Sequence, residues 1–164
     1  MTKSDEWKGT KSQRETLRQM FGGRCGYCGE HMVRMQADHI VPVVRLTMDV
    51  GGRPLPASER RMLQPHLNVM SNMMPSCAPC NNSKGGYSLE KWRSLIARSH
   101  EIVAREKPIF KAGVRFGVII ITGNDVVFHF ERTAQADAEA ELTGRCVCEW
   151  DQRRREGWSQ GILE

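Results

Sequence analysis

Four of the six cysteines form two Cys-x-x-Cys pairs, Cys25/Cys28 in CGYC and Cys77/Cys80 in CAPC, separated by 48 residues. A two-residue spacer lets each pair chelate from one turn, and four thiolates suit a tetrahedral zinc ion with Zn–S of about 2.3 Å. Such a site keeps no open coordination position, so its role is structural. The small Gly26 permits a tight turn that points both thiols of the first pair the same way. The rival chemistry is thiol–disulfide exchange, which expects a CxxC after a strand in a βαβ unit, and no such pattern surrounds either pair. His31 is an alternative fourth ligand that four cysteines make dispensable. Cys146 and Cys148, in CVC, are too distant in sequence from the other four to be obvious partners.

Polar residues of a different kind lie between and after the pairs. ADHIVP runs from Ala37 to Pro42, and NMMPSCAPCNNSKG runs from Asn72 to Gly85. This arrangement resembles the HNH endonuclease family, whose ββα-metal site reads Asp/His-His, then Asn, then Asn/His within a CxxC…CxxC frame. The resemblance covers about Leu17 to Gly86. It rests on an Asn five residues before Cys77 and on a second Asn directly after Cys80, in CNxxKG.

The resemblance implies that His39 is the general base, that Asp38 and Asn81 hold a divalent ion, and that Asn72 orients His39. It also implies DNA as substrate and products with 5′ phosphate and 3′ hydroxyl ends. The physical logic agrees with those roles. Water attacks a phosphodiester only if its proton is removed and the charge on phosphorus and the leaving oxygen is offset. An imidazole with a reference pKa of about 6.5 suits the first task and one metal ion the second. Oxygen ligands favour a hard ion such as Mg²⁺ or Mn²⁺, distinct in kind and job from the structural Zn²⁺. Asn68, four residues upstream, is the rival of Asn72 for holding the ring. Lys84 and His66 are candidate phosphate contacts, with a solvated lysine at the end of a turn as the plainer reading of Lys84.

These residues need elements to position them. Ser12 and Glu15 have capping-box spacing ahead of Leu17, Met20 and Phe21, with Gly22 and Gly23 as a stop. Val33–Val44 has strand character around Asp38 and His39, turning near Pro42. Leu46–His66, rich in Gly and Pro, reads as a long loop in which Ser58–Leu63 could make helical turns. The stretch from His39 to Asn72 is longer than in compact members of the family, so this loop reads as an insertion that contacts DNA or protein, with Arg53, Arg60 and Arg61 favouring DNA and a solvated loop as the plainer reading. A short helix beginning near Ala78 ends at Gly85. Ser88 caps a longer one carrying Leu89, Trp92, Leu95, Ile96 and Val103, with Pro108 as its limit. Val114–Thr122 and Asp125–Glu131 flank Gly123-Asn124 as a β-hairpin, and Ala134–Leu142 reads as a helix before a basic tail at Gln152–Glu156.

The elements give an α+β fold class, and the resemblance implies a ββα-metal core with a four-cysteine zinc site over residues 1–106. A helix and C-terminal hairpin extension over 107–164 is expected to pack in the same compact unit. Residues 1–100 carry 15 Lys+Arg against 8 Asp+Glu, whereas 101–164 carry 9 against 11, so the basic charge sits with the cysteines. Such a face attracts polyanions by releasing condensed counterions. The longest apolar run, Phe116–Ile121, is under a third of the roughly 20 residues a membrane helix needs. The first ten residues lack a secretory h-region, so the expected compartment is the cytoplasm, that of the host cell if a phage carries the gene. Double-strand cutting with one metal per site calls for two copies, which makes a homodimer a compatible but unproven state. The alternative to the enzyme is a noncatalytic zinc module that binds nucleic acid.

Overall fold

Thr10, rather than Ser12, opens the first helix. In the computed structural model, which describes residues 5–143, α1 spans Lys11–Gln19. The capping box is Thr10 with Gln13: Gln13 N–H donates to Thr10 Oγ1 at 3.2 Å, and Thr10 N–H to Gln13 Oε1 at 3.3 Å. Gln13 wins over Glu15 because an amide both accepts and donates. Its Oε1 also takes the Lys8 N–H, while its Nε2 donates to the Glu6 carbonyl, a bond no carboxylate can make. Gly22 and Gly23, both at positive φ, stop the helix as expected.

β1 (Gln36–His39) is the strand expected around Asp38 and His39, although far shorter than Val33–Val44. β2 (Arg45–Leu46) and β3 (Arg61–Met62) pair antiparallel and close the long loop at its neck. Ser58–Leu63 is consequently not helical: its last part is drawn into β3. Two 3₁₀ turns, Pro65–Leu67 and Met70–Asn72, lead to β4 (Met73–Ser76), which is buried along its whole length. β4 pairs antiparallel with β1, in register Gln36↔Ser76, Ala37↔Pro75, Asp38↔Met74 and His39↔Met73. α2 (Ala78–Lys84) follows at once and ends at Gly85, whose φ of 51° a side chain would strain.

α1 lies against β4, with Leu17 fully buried. Ser88 caps α3 (Leu89–Ala97) by accepting the Lys91 N–H at 3.3 Å, and Trp92 on α3 is buried. The expected single helix breaks at Arg98 into α3 and α4 (Ser99–Glu106). Pro108 ends α4 and also opens α5 (Pro108–Arg115), a position where the missing N–H costs nothing.

The expected C-terminal hairpin is absent. Val114 and Arg115 finish α5, and Gly117, at φ 72°, turns the chain so that Val118 and Ile119 N–H groups both bond the Gly113 carbonyl. A Cβ on Gly113 would meet Ile119 Cδ1 at 2.8 Å, so the β-branched run caps a helix instead of pairing. The second half of the expected hairpin enters α6 (His129–Thr143), which includes the helix expected at Ala134–Leu142 but begins five residues earlier. The chain divides into two compact units between Val126 and Val127. In the second, Glu131 Oε2 accepts the Phe128 N–H at 2.8 Å, and the Phe128 and Phe130 rings stack at 5.8 Å. Cys146, Cys148 and the Gln152–Glu156 tail lie outside the described residues. Among the described residues no helix is long and apolar enough to cross a membrane. The architecture is thus mixed helix and small antiparallel sheets.

Candidate metal centre and polar cavity

Cys25, Cys28, Cys77 and Cys80 come together: their four Sγ atoms lie within 4.8 Å of one another. The first pair sits in a turn after α1, and the second brackets the start of α2. The turn approaches β4 closely. Gly26 N–H donates to the Pro75 carbonyl at 2.8 Å, and a Cβ on Gly26 would stand 2.2 Å from Met74 Sδ. Cys77 N–H donates to Cys25 Sγ at 3.3 Å, and Cys28 and Cys77 Sγ are 3.8 Å apart. Tetrahedral Zn–S bonds of about 2.3 Å imply sulfur–sulfur edges of about 3.8 Å. The four cysteines therefore fit one zinc ion.

The protons on the thiols point the same way. The Cys25 thiol is pulled down to about 4, first by the Cys80 thiol that hydrogen-bonds to it and then, against its burial, by backbone N–H groups including that of Cys77. Cys80 is driven up by that same bond and by burial, and burial lifts Cys28 to about 11. A bound cation would displace the thiol protons, so its affinity would rise with pH.

Asp38 and His39 stand at the end of β1. Asp38 is buried, and its Oδ2 accepts from Tyr27 Oη at 2.5 Å and faces Lys84 Nζ at 2.9 Å. Tyr27, in the spacer of CGYC, is itself held edge-on by Trp92 with ring centres 5.1 Å apart. Its hydroxyl is kept protonated by burial and by the Asp38 carboxylate, and so it donates. Lys84 corrects the sequence reading. Its side chain is fully buried, its ammonium also donates to the His39 carbonyl at 2.7 Å, and it is not a phosphate contact. Leaving one charge of such a buried pair alone costs about 3–5 kcal/mol, so Lys84 belongs to the scaffold under the site.

Both asparagines are candidates for holding the His39 ring. Asn72 makes no hydrogen bond to it. Buried, it accepts from Val41 N–H at 2.8 Å and donates to the carbonyls of Val41 and Leu67, bracing the chain that leaves β1. Asn68 holds the imidazole instead, with Oδ1 3.0 Å from His39 Nε2. Its Nδ2 is committed to the Trp7 carbonyl at 2.9 Å. An amide oxygen can only accept, so Nε2 carries the hydrogen and the neutral ring keeps its lone pair at Nδ1.

Asn81, on α2, donates from Nδ2 to Gln36 Oε1 at 2.6 Å, leaving its own oxygen without a partner among the described residues. Asp38, His39, Asn68 and Asn81 line one polar cavity of about 570 Å³. Trp7, Arg14, Arg45 and Asn82 line it too, and the sequence reading passed over all four. The Trp7–Arg14 segment lay before the motif, while Arg45 counted only towards bulk charge. Tyr27 was also missed, because a CxxC spacer is ordinarily read for its size.

Compared with protein-family models, with curated proteins and with solved structures, the chain matches none.

Proposed function

We propose that this protein is an HNH-type endonuclease that hydrolyses DNA phosphodiester bonds with a divalent ion and a histidine base. The observation that carries the reading is the meeting of Asp38, His39 and Asn81 on one polar cavity, on elements bracketed by four clustered cysteines. In this reading zinc fills the cysteine cluster and fixes the CGYC turn against the start of α2.

Asp38 Oδ1 and the Asn81 side-chain oxygen both lack a hydrogen-bond partner among the described residues, and such oxygens suit Mg²⁺ or Mn²⁺. An ion held there would offset negative charge on a substrate phosphate and its leaving oxygen. His39 takes a proton from water at Nδ1, because Asn68 occupies Nε2. Tyr27 and Lys84 hold the shared Asp38 oxygen still, which leaves the other for an ion.

Purified protein incubated with supercoiled plasmid tests this. Nicking in Mg²⁺ or Mn²⁺ that EDTA abolishes supports the enzyme. Asn68→Ala should lower the nicking rate roughly ten- to a hundredfold, the usual loss when a group orienting a ligating or catalytic imidazole is removed. It should leave the melting temperature within a few degrees. A parental rate in that variant overturns the role given to Asn68.

One observation favours a second reading, a noncatalytic zinc module that binds nucleic acid. The Asp38 carboxylate already has a cationic partner in Lys84, so it needs no metal for charge balance. DNA binding with no nicking in any divalent ion selects this reading.

A further inference from the structure

Arg14 and Arg45 reach the same cavity as Asp38 and His39, and no motif in the sequence marks either. Among the described residues neither has an ion-pair partner. Asp38 is the carboxylate on that wall, and Lys84 already faces it at 2.9 Å. Two positive charges are therefore left over, on a cavity large enough for more than one phosphate group.

Arg14 is also seated in advance. Its Nε donates to the Gly9 carbonyl at 3.0 Å, and its guanidinium carbon lies 5.9 Å from the centre of the Trp7 ring. Gly9 makes the room: at φ 66° it suits a residue without a side chain, and a Cβ there would stand 3.3 Å from Arg14 Nη2. One edge of the guanidinium is thus fixed, and its terminal nitrogens remain for an acceptor. A planar fork held this way matches the oxygens of a phosphodiester and loses little freedom on binding one.

From this we infer that Arg14 and Arg45 form a phosphodiester-binding subsite that grips backbone phosphates of DNA beside the one being cut. The inference rests on the nuclease reading of the cavity, and its test is separable from that reading.

Binding of a fluorescently labelled DNA duplex is measured by anisotropy without added divalent ion, so that nothing is cut, across a salt series. For the Arg14→Gln/Arg45→Gln double variant the dissociation constant should rise at least about tenfold at moderate salt. The slope of log affinity against log salt should become shallower by about 1.8, or about 0.9 for each phosphate that an arginine no longer neutralises. Arg98→Gln, at an exposed arginine that pairs with Glu101 and does not line the cavity, should stay within about twofold of the parent. The Arg45 side chain has no hydrogen-bond partner among the described residues, so Arg45→Gln alone carries the test if removing the Gly9 and Trp7 interactions of Arg14 unsettles the double variant. Parental affinity and slope in Arg45→Gln and the double variant overturn the subsite, as does an equal weakening in Arg98→Gln or failure of the parent to bind duplex. Plasmid nicking by the parent in Mg²⁺ decides the nuclease reading on its own, whichever way the binding falls.

Discussion

His39→Ala is expected to cut metal-dependent plasmid nicking by about 10²- to 10⁴-fold, the range that a positioned general base contributes. The loss should come without unfolding. His39 is only half-buried, and its ring has one side-chain partner, Asn68, so truncation leaves one amide oxygen to be rehydrated at about 1 kcal/mol. The main chain stays anchored, because the His39 carbonyl is held by Lys84 and the neighbouring Ile40 N–H bonds the Asn72 carbonyl. Zinc content and melting temperature are the controls. A His39→Ala protein that nicks at the parental rate would remove the imidazole from the mechanism.

Cys77→Ser should have the second large effect, this time on folding. Structural zinc sites bind with roughly 10–16 kcal/mol of apparent free energy, whereas whole domains are stable by about 5–15 kcal/mol. Losing one ligand of four therefore removes an amount comparable with the net stability. The position is also mechanical: Cys77 N-caps α2, and its N–H donates to Cys25 Sγ across the cluster. Metal analysis after dialysis should find well under one zinc per chain, and thermal melting should drop by more than ten degrees or lose cooperativity. Stoichiometric zinc with an unchanged melting temperature would show that the cluster is not what holds this part of the chain together.

The parts legible in the sequence were those fixed by local stereochemistry. A CxxC spacer dictates how two thiols can point, Gly85 dictates where a short helix must stop, and Ser88 dictates where the next begins. Asp38 beside His39 at the end of a strand was likewise local. The choice between Asn68 and Asn72 was not, because the two 3₁₀ turns between Pro65 and Asn72 decide which side chain meets the ring. A sequence offset carries no information about those turns. Lys84 shows the same limit. As a residue type it suggests solvent and phosphate, and only the packing of α2 on β1 shows its ammonium buried beneath them.

The missing hairpin has a different cause. Val118–Ile121 has the composition of a strand, but β propensity expresses fit to a pleated, half-buried surface rather than an intrinsic backbone preference. No strand lies among residues 107–143 to pair with it. With no partner, Gly117 and the Gly113 carbonyl captured the run as the end of a helix.

The clasp made by Arg45–Leu46 and Arg61–Met62 also bears on how this chain can change. Its two ends are already tied, so residues 47–60 form an appendix whose closure entropy varies only slowly with length, by about 0.6 kcal/mol for each doubling. Trimming that appendix, or grafting a foreign peptide into it, should leave β1 and β4 in register. Sequence there can vary while Asp38 and His39, on β1, keep their places.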